Sequence, residues 1–191
     1  MNWGFPTVVT KLVAAAVGRA AFSAAFLATL LTIVVPLPAA FAYTNSQVGP
    51  VTGYPMPRFV SVKARPANVR VGPGAGYRIL WTFVRRSLPV EVTAEYGHWR
   101  RIRDWDGKEG WINGALVSGR RFGVVAPWSA SATVPMRDEA SAKAPIVAYL
   151  QRKLLVRIES CDGNWCEVDV RSRSGYVRQT RLWGAYPGEH I

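Results

Sequence analysis

The chain is written twice, and nothing else in it limits the possible fold so tightly. Arg58-Phe59 recurs as Arg121-Phe122, and Val69-Arg70 is matched to Val134-Pro135. Leu88-Pro-Val-Glu-Val92 answers to Leu154-Leu-Val-Arg-Ile158, and Gly97-His-Trp99 to Gly163-Asn-Trp165. Ile102 falls on Val168, Gly110-Trp-Ile112 on Gly175-Tyr-Val177, and Gly119 on Gly184. The spacing drifts only between 63 and 66 residues, so one unit of about sixty residues fills 58–121 and again 122–191. A unit of that size buries little core by itself, so the two copies are expected to pack on one another.

Each copy reads as β. Leu88, Val90, Val92 and Ala94 alternate with Pro89, Glu91, Thr93 and Glu95, the period of a strand with one face in the core and one in water. Val156, Ile158 and Ser160 repeat the pattern in the second copy. Glu95-Tyr-Gly-His98, Asp162-Gly-Asn164, Asp106-Gly107 and Ser172-Arg-Ser174 are turns. No 3.6-residue apolar repeat follows residue 42. Short strands and Gly-rich turns predict an all-β fold of two small barrels or sandwiches.

The N-terminus is of another kind. Residues 1–42 hold Lys11 and Arg19, no acid, an apolar run from Ala20 to Pro38, and then Ala40-Phe41-Ala42. A basic lead, an apolar run and small residues at −3 and −1 describe a signal peptide cleaved after Ala42. The other reading is an uncleaved anchor, which would be the chain's sole membrane contact. Residues 43–57 are rich in Pro, Gly, Ser and Thr and are expected to be a flexible tether. The body is therefore expected in the periplasm or outside the cell, where nucleic acid is an implausible partner despite a net charge of +12.

Asn68-Val-Arg-Val-Gly-Pro-Gly-Ala-Gly-Tyr77 resembles the opening of the bacterial SH3 (SH3b) family, and Gly97-His-Trp99, Ile102 and Gly110-Trp-Ile112 fall where that family has its later signals. The second copy departs at its start, where Val134-Pro-Met-Arg137 lacks the N-V-R and G-P residues. The resemblance implies SH3-like barrels of five or six strands, a binding role and no catalysis by the domain itself. It does not extend to the proline-peptide groove of eukaryotic SH3 domains. No A-L-Y-D-Y is present, and Asn113 and Leu116, or Arg178 and Arg181, stand where the late Pro and Tyr would be.

Cys161 and Cys166 flank the Asp162-Gly-Asn164 turn. Opposed residues on antiparallel strands lie within disulfide range, and an exported chain meets oxidising conditions. The pair is expected to be a disulfide; the other reading is two thiols, with Cys166 a small core residue. Two Cys and two His are too few for a metal site by themselves, and neither His has a triad context, so no metal, cofactor or catalytic residue is expected.

Strand parity selects the binding candidates. If Ile102 faces inward, Trp99, Arg101 and Arg103 face outward. If Val168 faces inward, Trp165 faces outward with Glu167 and Asp169. Trp111 and Tyr176 oppose the core parity of Ile112 and Val177. The alternative for these rings is that they cover a barrel end or the joint between copies. Copy one holds 13 basic and 5 acidic residues, and copy two 9 and 7. A basic face with Trp105 and Tyr77 nearby suits an anionic, sugar-containing polymer such as peptidoglycan, or an envelope protein.

Overall fold

In a computed structural model of the chain, which describes residues 47–191, the copies fold into two sheets of identical topology. The signal segment 1–42, its cleavage after Ala42 and the first residues of the tether lie outside the described residues. Strands β1 (Gln47–Val48) and β2 (Pro55–Met56) form a hairpin. Copy one contributes β3 (Arg58–Val62), β4 (Ala67–Arg70), β5 (Ile79–Phe83), β6 (Pro89–Tyr96), β7 (Trp99–Arg103), β8 (Glu109–Asn113), a 3-10 turn (Gly114–Leu116) and β9 (Val117–Ser118). Copy two repeats this with β10 (Phe122–Val125), β11 (Thr133–Arg137), β12 (Ile146–Gln151), β13 (Leu155–Cys161), β14 (Trp165–Val170), β15 (Arg173–Arg178), a 3-10 turn (Gln179–Arg181) and β16 (Leu182–Trp183).

The sheet orders are β5-β4-β8-β7-β6-β3-β9 and β12-β11-β15-β14-β13-β10-β16, all antiparallel. The expected barrels thus become two seven-stranded antiparallel sheets, and no closing ladder is found among the described residues. The edges show why. Strand β9 is two residues long and its register is used up against β3, while β5 pairs with β4. Each sheet bends instead at a bulge, between Val92 and Ala94 in β6 and between Ile158 and Ser160 in β13. The bend wraps one face around a core led by Val62, Val69, Val90 and Ile102 in copy one and by Val125, Met136, Val156 and Val168 in copy two.

Three sequence readings change here. The tether is a hairpin over 47–57, docked on copy one with Met56 in its core. It is held by the buried carboxylate of Glu95, which accepts from the Val51 and Thr52 backbone N–H groups (3.0 and 2.9 Å) and the Thr52 hydroxyl (2.6 Å). Secondly, the wet face of β6 is dry: Pro89, Glu91 and Glu95 are buried along with the apolar residues between them. The hairpin covers Glu95 and copy two covers the other end. Thirdly, the repeat alignment shifts at its start. Arg70 pairs with Trp111 and Arg137 with Tyr176, each just after a bulge, so Val69 corresponds to Met136 and Arg70 to Arg137. The second copy therefore keeps the arginine of the motif it seemed to lack.

The joint between copies is aromatic and then ionic. Phe59 meets Trp183 edge-on (5.0 Å between centroids) and Tyr186 at a tilt (4.6 Å). The Trp183 indole N–H donates to the Pro89 carbonyl (3.3 Å), and the Tyr186 hydroxyl donates to Glu91 (2.8 Å). Arg121 reaches across 68 residues to both oxygens of Glu189 (2.8 and 2.9 Å) and also donates to the Gly184 carbonyl (2.7 Å). Gly184 itself sits at φ +128°, and a Cβ there would lie 2.2 Å from the Phe122 carbonyl oxygen. Only glycine fits that crossing.

Candidate functional site

A cleft of about 180 Å³ opens on copy two, lined by Val134, Pro135, Arg137, Ala142, Trp165, Arg178 and Arg181. Register builds it. Trp165 begins β14 directly opposite Arg178 at the end of β15, and the Arg178 guanidinium lies over the indole, 4.2 Å from its centroid. Arg181 follows in the 3-10 turn. That turn is pinned from behind by buried Gln179, whose amide donates to the Tyr186 and Glu189 carbonyls (2.5 and 2.8 Å). Arg137 is carried in by the β11 bulge and donates to the Ala144 carbonyl. None of the three arginines forms an ion pair among the described residues, and the lining holds no carboxylate. Three guanidiniums around a buried indole, one of them stacked on its face, can fork onto a carboxylate.

The matching place in copy one is built differently. Asn113 stands at the position of Arg178, opposite Trp99, and accepts from the Ala115 N–H (2.9 Å) to cap the 3-10 turn. Leu116 stands in for Arg181. Arg70 remains and donates to the Tyr77 carbonyl (2.6 Å). Arg100 turns inward to Glu95 (3.4 Å). Copy one has the larger basic excess, but copy two gathers arginines over a tryptophan.

The residues singled out in the sequence separate accordingly. Trp165 and Tyr176 were both expected to face outward; Trp165 is 7% exposed, roofed by Arg178, and Tyr176 is half-buried. Parity has Trp165 facing outward, whereas the ring is buried, because the arginine that closes over it comes from a strand parity does not address. Trp99 and Trp111 are half-buried. Trp105 packs against copy one's core rather than on a basic surface. Arg101 pairs with Glu109 (2.5 Å) and Arg103 with buried Glu91 (2.5 Å), so both guanidiniums are engaged within the fold. The Glu91 hydrogen bond raises Arg103 above its already high value. Tyr77 is 50% exposed and leans over Gly72 and Gly74, where a Cβ at Gly72 would lie 2.7 Å from the ring. Arg137, Arg178 and Arg181 were not singled out as site residues. The three-residue interval from Arg178 to Arg181, directly after a strand opposing Trp165, was the available signal.

Cys161 and Cys166 are bonded, as direct cross-strand partners. The turn between them is closed by Asp162, whose carboxylate accepts from the Trp165 and Asn164 backbone N–H groups (2.7 and 2.8 Å); these bonds hold it below the usual carboxylate range.

Comparison with known proteins places these observations. A family model described as bacterial SH3 domain matches residues 63–119 and again 130–184. Among solved structures, NlpC2 of Trichomonas vaginalis shares 12% identity over 68% of this chain and 49% of its own, with a TM-score of 0.30. NlpC1 of the same organism shares 13% over 71% and 48%, with a TM-score of 0.29. An NlpC/P60 family protein from Bacillus cereus shares 10% over 67% and 57%, with a TM-score of 0.30. The chain spans about half the length of these structures. No curated protein matches it.

Proposed function

This chain belongs to the bacterial SH3 domain family, and from that premise we propose that it is a non-enzymatic binding module of the cell envelope. Its ligand is peptidoglycan or another anionic wall-associated polymer. The observation that carries this reading is the copy-two cleft, where Arg137, Arg178 and Arg181 stand unpaired by acids around Trp165. The peptide stems of a wall polymer end in carboxylates, which guanidinium forks accept. The Cys161–Cys166 disulfide supports a periplasmic or secreted location, because such bonds persist in oxidising compartments.

The test is retention on purified sacculi at moderate salt. Wild type is expected to be retained, and Arg178→Ala with Arg181→Ala to bind about tenfold more weakly. Absence of retention for wild type, or a double variant that binds like it, overturns the proposal. A second reading, an adaptor for an envelope protein, is favoured by the edge strand β12. It exposes Ile146, Val147 and Tyr149 where a partner strand could add. Photo-cross-linking from position 149 in cells would capture a protein under that reading and none under the first.

A further inference from the structure

The strongest charge asymmetry in the molecule lies away from the cleft. No Asp or Glu occurs before Glu91, so the β4–β5 hairpin and its flanks are wholly free of acid. Arg65, Arg78, Arg85 and Arg86 are exposed there, and none forms an ion pair among the described residues. Set among them are Val71, Tyr77, Ile79, Leu80 and Val84, each between 39% and 71% exposed. Strand β5 is the sheet edge, and β4 meets β8 through the single pair Arg70 and Trp111.

From this placement we infer that the hairpin is a docking surface for an anionic lipid bilayer. The arginines attract phosphate headgroups, and the apolar side chains between them reach the acyl boundary, with Tyr77 suited to the level where the two meet. The excess of unpaired arginine weighs against a protein partner. A protein interface gathers apolar residues at its centre and sends charge to the rim. Here Arg65, Arg78, Arg85 and Arg86 are exposed alongside the five apolar side chains, and the segment holds no acid to balance them. The contact goes beyond the expectation that only the N-terminal apolar segment touches a membrane, and it does not depend on the wall ligand.

The experiment uses the full chain with vesicles of phosphatidylcholine alone and vesicles with a third of that lipid replaced by phosphatidylglycerol. Lys11, Arg19 and the other cationic side chains also favour anionic vesicles, so the triple variant and the paired probes below, rather than the ratio alone, isolate the hairpin. Binding is expected to be at least about tenfold tighter to the anionic vesicles, and Arg78→Glu, Arg85→Glu and Arg86→Glu together are expected to abolish that preference. An environment-sensitive fluorophore on Val84→Cys should shift to the blue on anionic vesicles, while one on Ser131→Cys in copy two should not. Equal binding to both vesicle types, an unaffected triple variant, or equal shifts at the two probes would overturn the inference. Retention on immobilised polyglutamate without vesicle binding would also overturn it, in favour of an acidic polypeptide.

Discussion

Glu95 offers the sharpest test of how the hairpin 47–57 is held. Its side chain is fully buried, and burial alone would raise its pKa. Hydrogen bonds from the Thr52 hydroxyl, Arg58 and the Thr52 and Val51 backbone outweigh that and hold it at about 2, against an ordinary 4.5. The difference corresponds to about 3 kcal/mol of stability carried by the ionised form. Because the folded value is the lower one, this contribution is complete above pH 4.5 and disappears as the pH falls towards 2. Glu95→Gln forfeits the charge, leaves Arg58 and Arg100 without their anion and loosens the hairpin. Urea denaturation at neutral pH should show the variant about 3 kcal/mol less stable, with the gap closing between pH 4.5 and pH 2. Limited proteolysis should cut the variant within 47–57 first. A gap that stays constant down to pH 2, or a variant as stable and as protease-resistant as wild type, would refute the account.

Three further outcomes can be checked by the same denaturation measurements. Reducing Cys161–Cys166, or replacing both by Ala, opens a loop with a sequence separation of 5 and should cost about 2 kcal/mol, because closing so short a loop removes little chain entropy. Tyr186→Phe strips a hydrogen bond from buried Glu91 and should cost about 1–3 kcal/mol, more than the same change at exposed Tyr149. Gly184→Ala forces a Cβ into the Phe122 carbonyl and should destabilise by at least about 2 kcal/mol; a well-folded, fully stable variant would show that β10 and β16 do not cross as closely as described.

Much of the fold was legible because duplication exposes it. Gly97-His-Trp99 and Gly163-Asn-Trp165 mark the same turn, and the cysteines flanking the second turn face each other across the ladder as their spacing suggested. Glu91 and Glu95 misled because period-two reasoning assumes one dry and one wet face. It has no knowledge of what a distant segment will lay over the second face. The composition of 43–57 misled similarly. Gly49 packs closely there, since a Cβ would sit 2.6 Å from the Glu95 carboxylate, a tight fit that reads in sequence as looseness. The candidate cleft was half visible. Trp165 could be picked out by parity, but a bulge displaced Arg137 from its apparent counterpart, and bulges leave little trace in a single sequence.

The two copies fasten one and the same position by unlike chemistry. Glu95 faces Arg100 across the first turn just as Cys161 faces Cys166 across the second. Beside each pair lies a segment outside the seven strands of its sheet, the 47–57 hairpin in one case and residues 190–191 in the other. Protons unfasten the former and thiols the latter. Acid and reductant therefore attack opposite halves of the molecule, and a cell compartment that turned sour without turning reducing would loosen the arginine-rich half while leaving the cleft-bearing half clasped.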